Sequence, residues 1–334
     1  MGNSVAIISK TSRLVWFDWM KTLAIYFIIA GHCWVPGNEF IYVFSVPAFF
    51  ILSGFLSKKE DDTFLFWKKT WWNLMVPMCL YFVITTLVQF GVQIMKGTFE
   101  ARYLYEAPFL GLIGMQGQNY EAGGLKAMWF VYTLIICKIL QQYSPKKYNS
   151  IYLLFLSVVF LFISWLLHQK EIVCYNSIVN VLLAMPFFTI GFFLKPFKVK
   201  IANLSITWMP FIVVLGIIGV YYCGVHNDIV MLYKCSYGNN LFLCMIGAIC
   251  GTVSIYGISM LLKKYLNNIV RIVGGGTLVI LGLHFIIIQT VNQFVAIHGF
   301  WLYVEAFIIL VAFIPIIIFV ENHMPILYGK YRSK

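Results

Sequence analysis

The sequence predicts an all-α integral membrane protein that crosses the bilayer about ten times, with both termini in the cytoplasm. Three observations support this fold class. Hydrophobic residues make up 61% of the 334 residues and charged residues only 11%, a composition that excludes an ordinary soluble domain. Apolar runs of about 20 residues, the length that a helix needs to cross a bilayer, recur along the chain. Basic residues collect in alternate connections between these runs.

The apolar runs account for almost the whole chain, so we expect one membrane domain over residues 1–334. No small-residue cleavage pattern follows the first run, which is therefore expected to remain as a spanning helix rather than act as a signal peptide. In chain order, the expected spans are 15–35, 40–57, 74–95, 125–141, 149–168, 177–195, 206–224, 241–262, 272–296 and 300–320.

The distribution of basic residues sets the expected orientation. Seventeen Lys and Arg residues lie in tails and connections on one side of the ten spans, and five lie on the other. Cytoplasmic connections carry the excess of basic residues in membrane proteins, which places both termini in the cytoplasm. The net charge of +12 then reflects topology, and no nucleic-acid partner is expected because the charges are divided among several short connections.

The first expected span carries three ionisable residues, Asp18, Lys21 and His32, in an otherwise apolar run. At 100° per residue, Lys21 and His32 point in directions about 20° apart and are separated by about 16 Å along the axis. Asp18 precedes Lys21 by about one turn. Ionisable groups inside a membrane are costly and usually face a cavity or a partner, so this stripe indicates a functional site. The alternatives are an interfacial ion pair with a snorkelling lysine, and a histidine in an aromatic belt.

A second histidine, His284, lies well inside the ninth expected span, in the run TLVILGLHFIIIQTVNQF. An aromatic-belt explanation fails at this depth. One interpretation is a hydrogen bond that holds two helices together, a role also open to the later polar residues of the run. The other is a polar tunnel shared with Lys21 and His32. Histidine titrates near neutral pH, which suits it to take a proton from a hydroxyl and return it to a leaving group.

The cysteines and acidic residues give little support to metal or disulfide chemistry. The eight cysteines form no C-x-x-C pair and lie mainly in apolar spans, as packing residues do. Cys174 and Cys235 fall in expected outer loops, where a disulfide would be possible. No His, Asp or Glu cluster has metal-ligand spacing, so no metal is expected.

Several segments, in order along the chain, resemble the acyltransferase-3 family of bacterial integral-membrane enzymes that O-acetylate surface sugars. The pattern of Asp18, Lys21 and His32 is the first of them. The others are FSVPAFFILSGFL at 44–56, MWFVYTL at 128–134, FFTIGFFL at 187–194, YGNNLFLCMIGAICG at 237–251 and GGTLVILGLHFIII at 275–288. Each segment is short, and the specificity of the resemblance comes from the set and its order.

Within this family the chain is most similar to the group described as fucose 4-O-acetylase-like, a label that does not assign a substrate. Two features depart from the family pattern. Lys21 stands where many relatives have arginine, which keeps the charge but loses the bidentate geometry of a guanidinium. Ser45, Val46 and Pro47 stand where relatives often have His-Met-Pro, so any role of that additional histidine is absent.

The resemblance implies a protein of the bacterial inner membrane with cytoplasmic acetyl-CoA as donor and a glycan or lipid-linked glycan as acceptor. His32 would act as general base or be transiently acetylated, and Asp18 would orient Lys21 beside the pantetheine arm. The loop expected at 58–73 would bring Lys68 and Lys69 to the CoA phosphates, unless these lysines only set topology. The residues expected towards the acceptor are His284, Trp129, Tyr120, Glu121, Asn239 and Asn240.

The sequence leaves two other functions open. A polytopic transporter or flippase of a glycan or lipid-linked sugar would use the same stripe as a permeation path or proton relay. An acyltransferase that uses succinyl-CoA, or a non-sugar acceptor, would share the fold and both histidines. The sequence does not determine the acceptor, the site of acylation or the oligomeric state.

Overall fold

The computed structural model of the protein describes residues 14–115 and 124–330. Over these ranges the chain is helical without a β-strand, which confirms the all-α class. The α-helices are α1 (Val15–His32), α2 (Asn38–Leu56), α3 (Thr63–Thr70), α4 (Val76–Met95), α5 (Tyr103–Leu112), α6 (Trp129–Gln142), α7 (Asn149–Gln169), α8 (Val181–Leu194), α9 (Lys198–Ala202), α10 (Met209–His226), α11 (Leu241–Leu262), α12 (Asn267–Gly275), α13 (Thr277–Phe294) and α14 (Trp301–His323).

Eight helical stretches of the described chain are long and apolar enough to cross a membrane, which confirms a polytopic membrane protein. They are Asn38–Leu56, Thr63–Met95, Asn149–Gln169, Val181–Ala202, Ile206–His226, Leu241–Leu262, Thr277–Phe294 and Trp301–His323. Each corresponds to one of the expected spans. The remaining two, 15–35 and 125–141, are also helical, but α6 has only 14 residues and α1 carries three ionisable side chains. The total of ten spans and the cytoplasmic termini stay predictions.

Helix α1 lies at the centre of the bundle. It contacts α2, α11, α12, α13 and α14, and most of its residues are buried. Because neighbouring helices rather than lipid cover it, α1 carries polar residues that a lipid-facing helix would exclude.

Two expected boundaries are wrong in informative ways. The loop expected at 58–73 is largely helical, because the helical stretch Thr63–Met95 begins ten residues or so before the expected span and continues through a π-helical turn. Its 33 residues extend for about 50 Å, well beyond a hydrocarbon core of about 30 Å. The expected span 272–296 is interrupted at Gly276, where α12 ends and α13 begins.

The longest expected connection, 96–124, contains the short helix α5 on the part that the structure describes. Tyr103 and Ala107 of this helix pack against Phe90 of α4 in a small apolar cluster. The first part of this connection therefore packs against α4.

The crossing of α2 and α8 is fixed by two glycines. A Cβ atom at Gly54 would lie 1.9 Å from the carbonyl oxygen of Phe188, and one at Gly191 would lie 1.8 Å from the carbonyl oxygen of Ile51. The two backbones are therefore in direct contact, as small residues permit between membrane helices. Both glycines belong to segments that carry the family resemblance, which gives these segments a packing role.

Candidate active site

The structure brings the two intramembrane histidines together. His32 is the last residue of α1, and His284 lies two turns into α13. Their ring centroids are 5.1 Å apart, and the His32 ring lies 4.3 Å from that of Phe285. The sequence left open a polar tunnel shared by both residues; the packing of α13 against α1 brings the two rings together, and the tunnel stays a prediction.

The hydrogen bond of His284 to the backbone indicates which of its ring nitrogens carries the hydrogen. Its Nδ1 atom lies 2.8 Å from the carbonyl oxygen of Ile280, one turn earlier. A carbonyl only accepts hydrogen bonds, so Nδ1 carries the hydrogen in the neutral ring and Nε2 is left with its lone pair. His284 is fully buried, and Nε2 has no hydrogen-bond partner within the described chain. The atom is therefore available to accept a hydrogen bond or a proton.

Lys21 and Asp18 lie at the other end of the stripe on α1. The Nζ atom of Lys21 donates to the carbonyl oxygen of Gly274 at 3.3 Å and lies 5.6 Å from the centroid of the Phe17 ring. Asp18 is only 4% exposed. Lys21 thus meets the end of α12, and His32 meets α13, so both ends of the stripe face one continuous segment of chain.

The loop 57–62, before α3, is hydrogen-bonded to the end of α6. Gln142 donates through Nε2 to the carbonyl oxygen of Glu60 and accepts from its backbone N–H, at 2.8 and 3.0 Å. The Glu60 carboxylate pairs with Lys69 at 2.8 Å. Burial, together with the charge of Lys146, lowers the pKa of Lys59. The predicted phosphate-binding residue Lys69 therefore already has one anionic partner, and Lys68 lies beside it on α3.

The residues predicted to line the acceptor side have different environments. Trp129 is buried at the start of α6, just after a turn that contacts α13. Asn239 lines a cleft of about 790 Å³ formed by the end of α7 and the connection before α11. The Asn240 side chain caps α11 by accepting the N–H groups of its first residues, so its oxygen is already used. Tyr120 and Glu121 lie outside the described residues.

Sequence reasoning missed two polar residues near His32. Glu305 lies in the apolar run of α14, is 4% exposed, and has no hydrogen-bond partner in the described structure for either carboxylate oxygen. Asn38, the first residue of α2, donates through Nδ2 to the carbonyl oxygen of Gly31 at 3.0 Å. Glu305 was identifiable by the reasoning applied to Asp18, since it is an isolated charge in an expected span. Asn38 carried no signal, because it lies in an expected connection.

The arrangement supports acid–base or nucleophilic chemistry at an imidazole within the bundle. Over residues 14–115 and 124–330, no group of three His, Cys, Asp or Glu side chains is placed to hold a metal ion. The rings of Phe285 and fully buried His284 pack against that of His32, which is itself only partly buried.

Comparison with known proteins gives one result. A family model described as an acyltransferase domain, that of the acyltransferase-3 family, matches residues 14–321. No curated protein and no solved structure matches the chain. The match extends from α1 almost to the end of α14, so it includes the stripe on α1 and the histidine pair.

Proposed function

Since the chain belongs to the acyltransferase-3 family, we propose that it is a membrane O-acetyltransferase that moves an acetyl group from cytoplasmic acetyl-CoA to a hydroxyl of a surface or exported glycan. The family establishes acyl transfer, and the acetyl donor and the glycan acceptor are what we propose. The observation that best supports the proposal is the contact between partly buried His32 and fully buried His284, at one end of a polar stripe that has Lys21 near its other end.

The donor would enter from the cytoplasmic side. Basic side chains on the loop 57–62 and on α3, among them Lys68 and Lys69, would meet the CoA phosphates. The pantetheine arm would then follow α1 past Lys21 and bring the thioester to His32, which lies about 16 Å further along the helix. Lys21 would hold a polar group of the arm, because its ammonium already binds one carbonyl oxygen there.

In a direct transfer, His32 acts as a general base on the acceptor. The hydroxyl proton passes to an imidazole nitrogen of His32 as the hydroxyl oxygen attacks the thioester carbonyl carbon. The C–S bond then breaks, and the imidazolium returns the proton to the CoA thiolate. Products are the O-acetyl ester and free CoA, and His32 recovers its starting state.

A covalent route uses the same residues in a different order. An imidazole nitrogen of His32 attacks the thioester carbonyl, and the CoA thiolate leaves with a proton from solution. The acceptor hydroxyl then attacks the acetyl-imidazolium, the bond between the ring nitrogen and the acetyl group breaks, and the hydroxyl proton is released to solution, which restores neutral His32. His284 serves either route, because its Nε2 accepts a hydrogen bond from an N–H of His32 or from the acceptor hydroxyl.

Family membership favours this proposal over a flippase or transporter that would use the same polar stripe. A direct test compares cells that carry no copy, the wild-type protein or His32→Ala at equal membrane abundance. Mass spectrometry of their surface glycans is expected to find O-acetyl groups with the wild type alone. Identical glycans in all three strains, with lipid-linked intermediates accumulating where the protein is missing, would replace acetyl transfer with a flippase function.

A further inference from the structure

Three buried side chains near His32 have hydrogen-bond acceptors with no partner within the described chain. The atoms are Oδ1 of Asn38, Nε2 of His284 and both carboxylate oxygens of Glu305. The three residues are 7%, 0% and 4% exposed, respectively. Buried polar atoms in native proteins are nearly always hydrogen-bonded, so a group of unpaired ones indicates a place where a ligand completes the bonding.

These atoms come from three helices that meet at the last turn of α1. Asn38 binds the carbonyl oxygen of Gly31, the residue before His32. Glu305 lies two residues after Tyr303, whose carbonyl oxygen accepts from the hydroxyl of Tyr26 on α1 and whose own hydroxyl donates to the carbonyl oxygen of Pro36 just after α1. The His284 ring lies 5.1 Å from the ring of His32 itself. Helices α2, α13 and α14 each therefore contribute one such residue near the proposed reacting group.

The bonding partners identify all of these atoms as acceptors. The Asn38 amide is oriented by its donation to a carbonyl oxygen, which leaves Oδ1 as the unpaired atom. His284 donates through Nδ1, so Nε2 accepts. A carboxylate accepts at both oxygens, and a protonated carboxyl group still accepts at one. The matching ligand must supply several hydrogen-bond donors, which favours a hydroxyl-rich neutral group over a phosphate or a carboxylate.

We propose that Asn38, His284 and Glu305 form an acceptor subsite whose ligand is an uncharged sugar unit with at least two further free hydroxyls. One hydroxyl of the sugar reaches His32, and its other hydroxyls donate to Asn38 and Glu305. Asn38 and Glu305 are positioning residues, because they set the orientation of the sugar without taking part in bond formation. This inference rests on the proposed function and specifies the chemistry of the acceptor.

The test changes Glu305 while preserving its size. Full-length protein in lipid nanodiscs is assayed with acetyl-CoA and with surface glycan taken from cells that lack the protein and freed of esters by mild base. Glu305→Met removes both acceptor oxygens and is expected to raise the KM for the glycan about 10-fold to 100-fold, with the KM for acetyl-CoA unchanged. Glu305→Gln keeps one acceptor oxygen and is expected to cause a smaller rise.

Glu321 on the same helix provides a matched control. It pairs with Lys330 at 2.6 Å near the opposite end of α14, and Glu321→Gln is expected to leave both KM values unchanged. A purely structural role of Glu305 would lower thermal stability and active protein without changing the KM for one substrate alone. A glycan KM for Glu305→Met within about twofold of the wild type, or equal rises for both substrates, would overturn the subsite.

A binding measurement separates this inference from the proposed function. The same glycan, added without acetyl-CoA, is expected to raise the melting temperature of the wild type and to leave that of Glu305→Met unchanged. Binding by the wild type without acetyl transfer would keep the subsite and reject the proposed function. Failure of the glycan to bind the wild type would reject the subsite, whether or not acetyl-CoA is consumed.

Discussion

Among individual residues, His32 is the one on which the proposed chemistry depends most. His32→Gln keeps a polar side chain of similar size but removes the titratable ring, so kcat for acetyl transfer is expected to fall about 10²-fold to 10⁴-fold. The measurement is the initial rate of transfer from acetyl-CoA by purified protein. His226→Gln is the control, because His226 is likewise near the end of a helix but lies exposed on α10, away from the histidine pair. Equal rates for His32→Gln and the control would remove His32 from the chemistry.

Lys21 is expected to act on the donor. Lys21→Ala should raise the KM for acetyl-CoA about tenfold through loss of one charged hydrogen bond, while Lys21→Arg should keep it near the wild-type value. Titration of acetyl-CoA at saturating glycan measures this KM. A wild-type KM in the alanine variant would contradict a role for Lys21 in donor binding.

The site residues that could be predicted from the sequence are those whose side chains are costly to place in a membrane. Asp18, Lys21, His32 and His284 were identifiable because isolated polar groups in apolar runs need a reason to be there. Sequence could not show that His32 meets His284, since these residues are separated by more than 250 positions and join only through helix packing. It also could not show that the side chain of Asn240 is used to cap a helix.

At the scale of elements, the α2–α8 crossing gives a sharp prediction. Gly191→Ala would place a methyl group 1.8 Å from the Ile51 carbonyl oxygen, so the helices must separate. The expected cost is at least about 3 kcal/mol, the upper end of ordinary overpacking. Thermal denaturation of the detergent-solubilised protein measures the effect as a lower melting temperature.

Gly91→Ala is the matched control for this substitution. Gly91 lies within α4, and a Cβ atom there would have no neighbour within 4 Å. Alanine favours the helix by about 1 kcal/mol over glycine, so this variant should be as stable as the wild type or slightly more stable. An unchanged melting temperature for Gly191→Ala would show that the close crossing is not essential.

Most helices were predictable because hydrophobic length sets the span of a membrane helix. The exceptions have local physical causes. The extension of α4 back to Thr63 is built from amphipathic residues beyond the apolar run, which hydropathy does not register as a span. The interruption at Gly276 lies inside an apolar stretch, where composition alone gives no boundary.

At the scale of the whole molecule, the distribution of basic residues predicts cytoplasmic termini. The described residues contain eight helical stretches that could cross a membrane, or ten with α1 and α6, and because both numbers are even, both termini should lie on the same side. Fusion of green fluorescent protein, which fluoresces only in the cytoplasm, to either end should give fluorescent cells. Alkaline phosphatase is active only outside the cytoplasm, so its fusion to either terminus should give cells without phosphatase activity. Phosphatase activity from a fusion to one terminus alone would contradict the topology.

We expect donor and acceptor to reach His32 from opposite sides of the membrane. Proteoliposomes of defined orientation would receive radiolabelled acetyl-CoA on the face of the loop 57–62 and ester-free surface glycan on the other. Label is expected in the glycan with the wild type, but not with His32→Gln and not when acetyl-CoA is supplied only on the glycan side. Equal labelling by His32→Gln, or labelling with both substrates confined to the glycan side, would contradict this expectation.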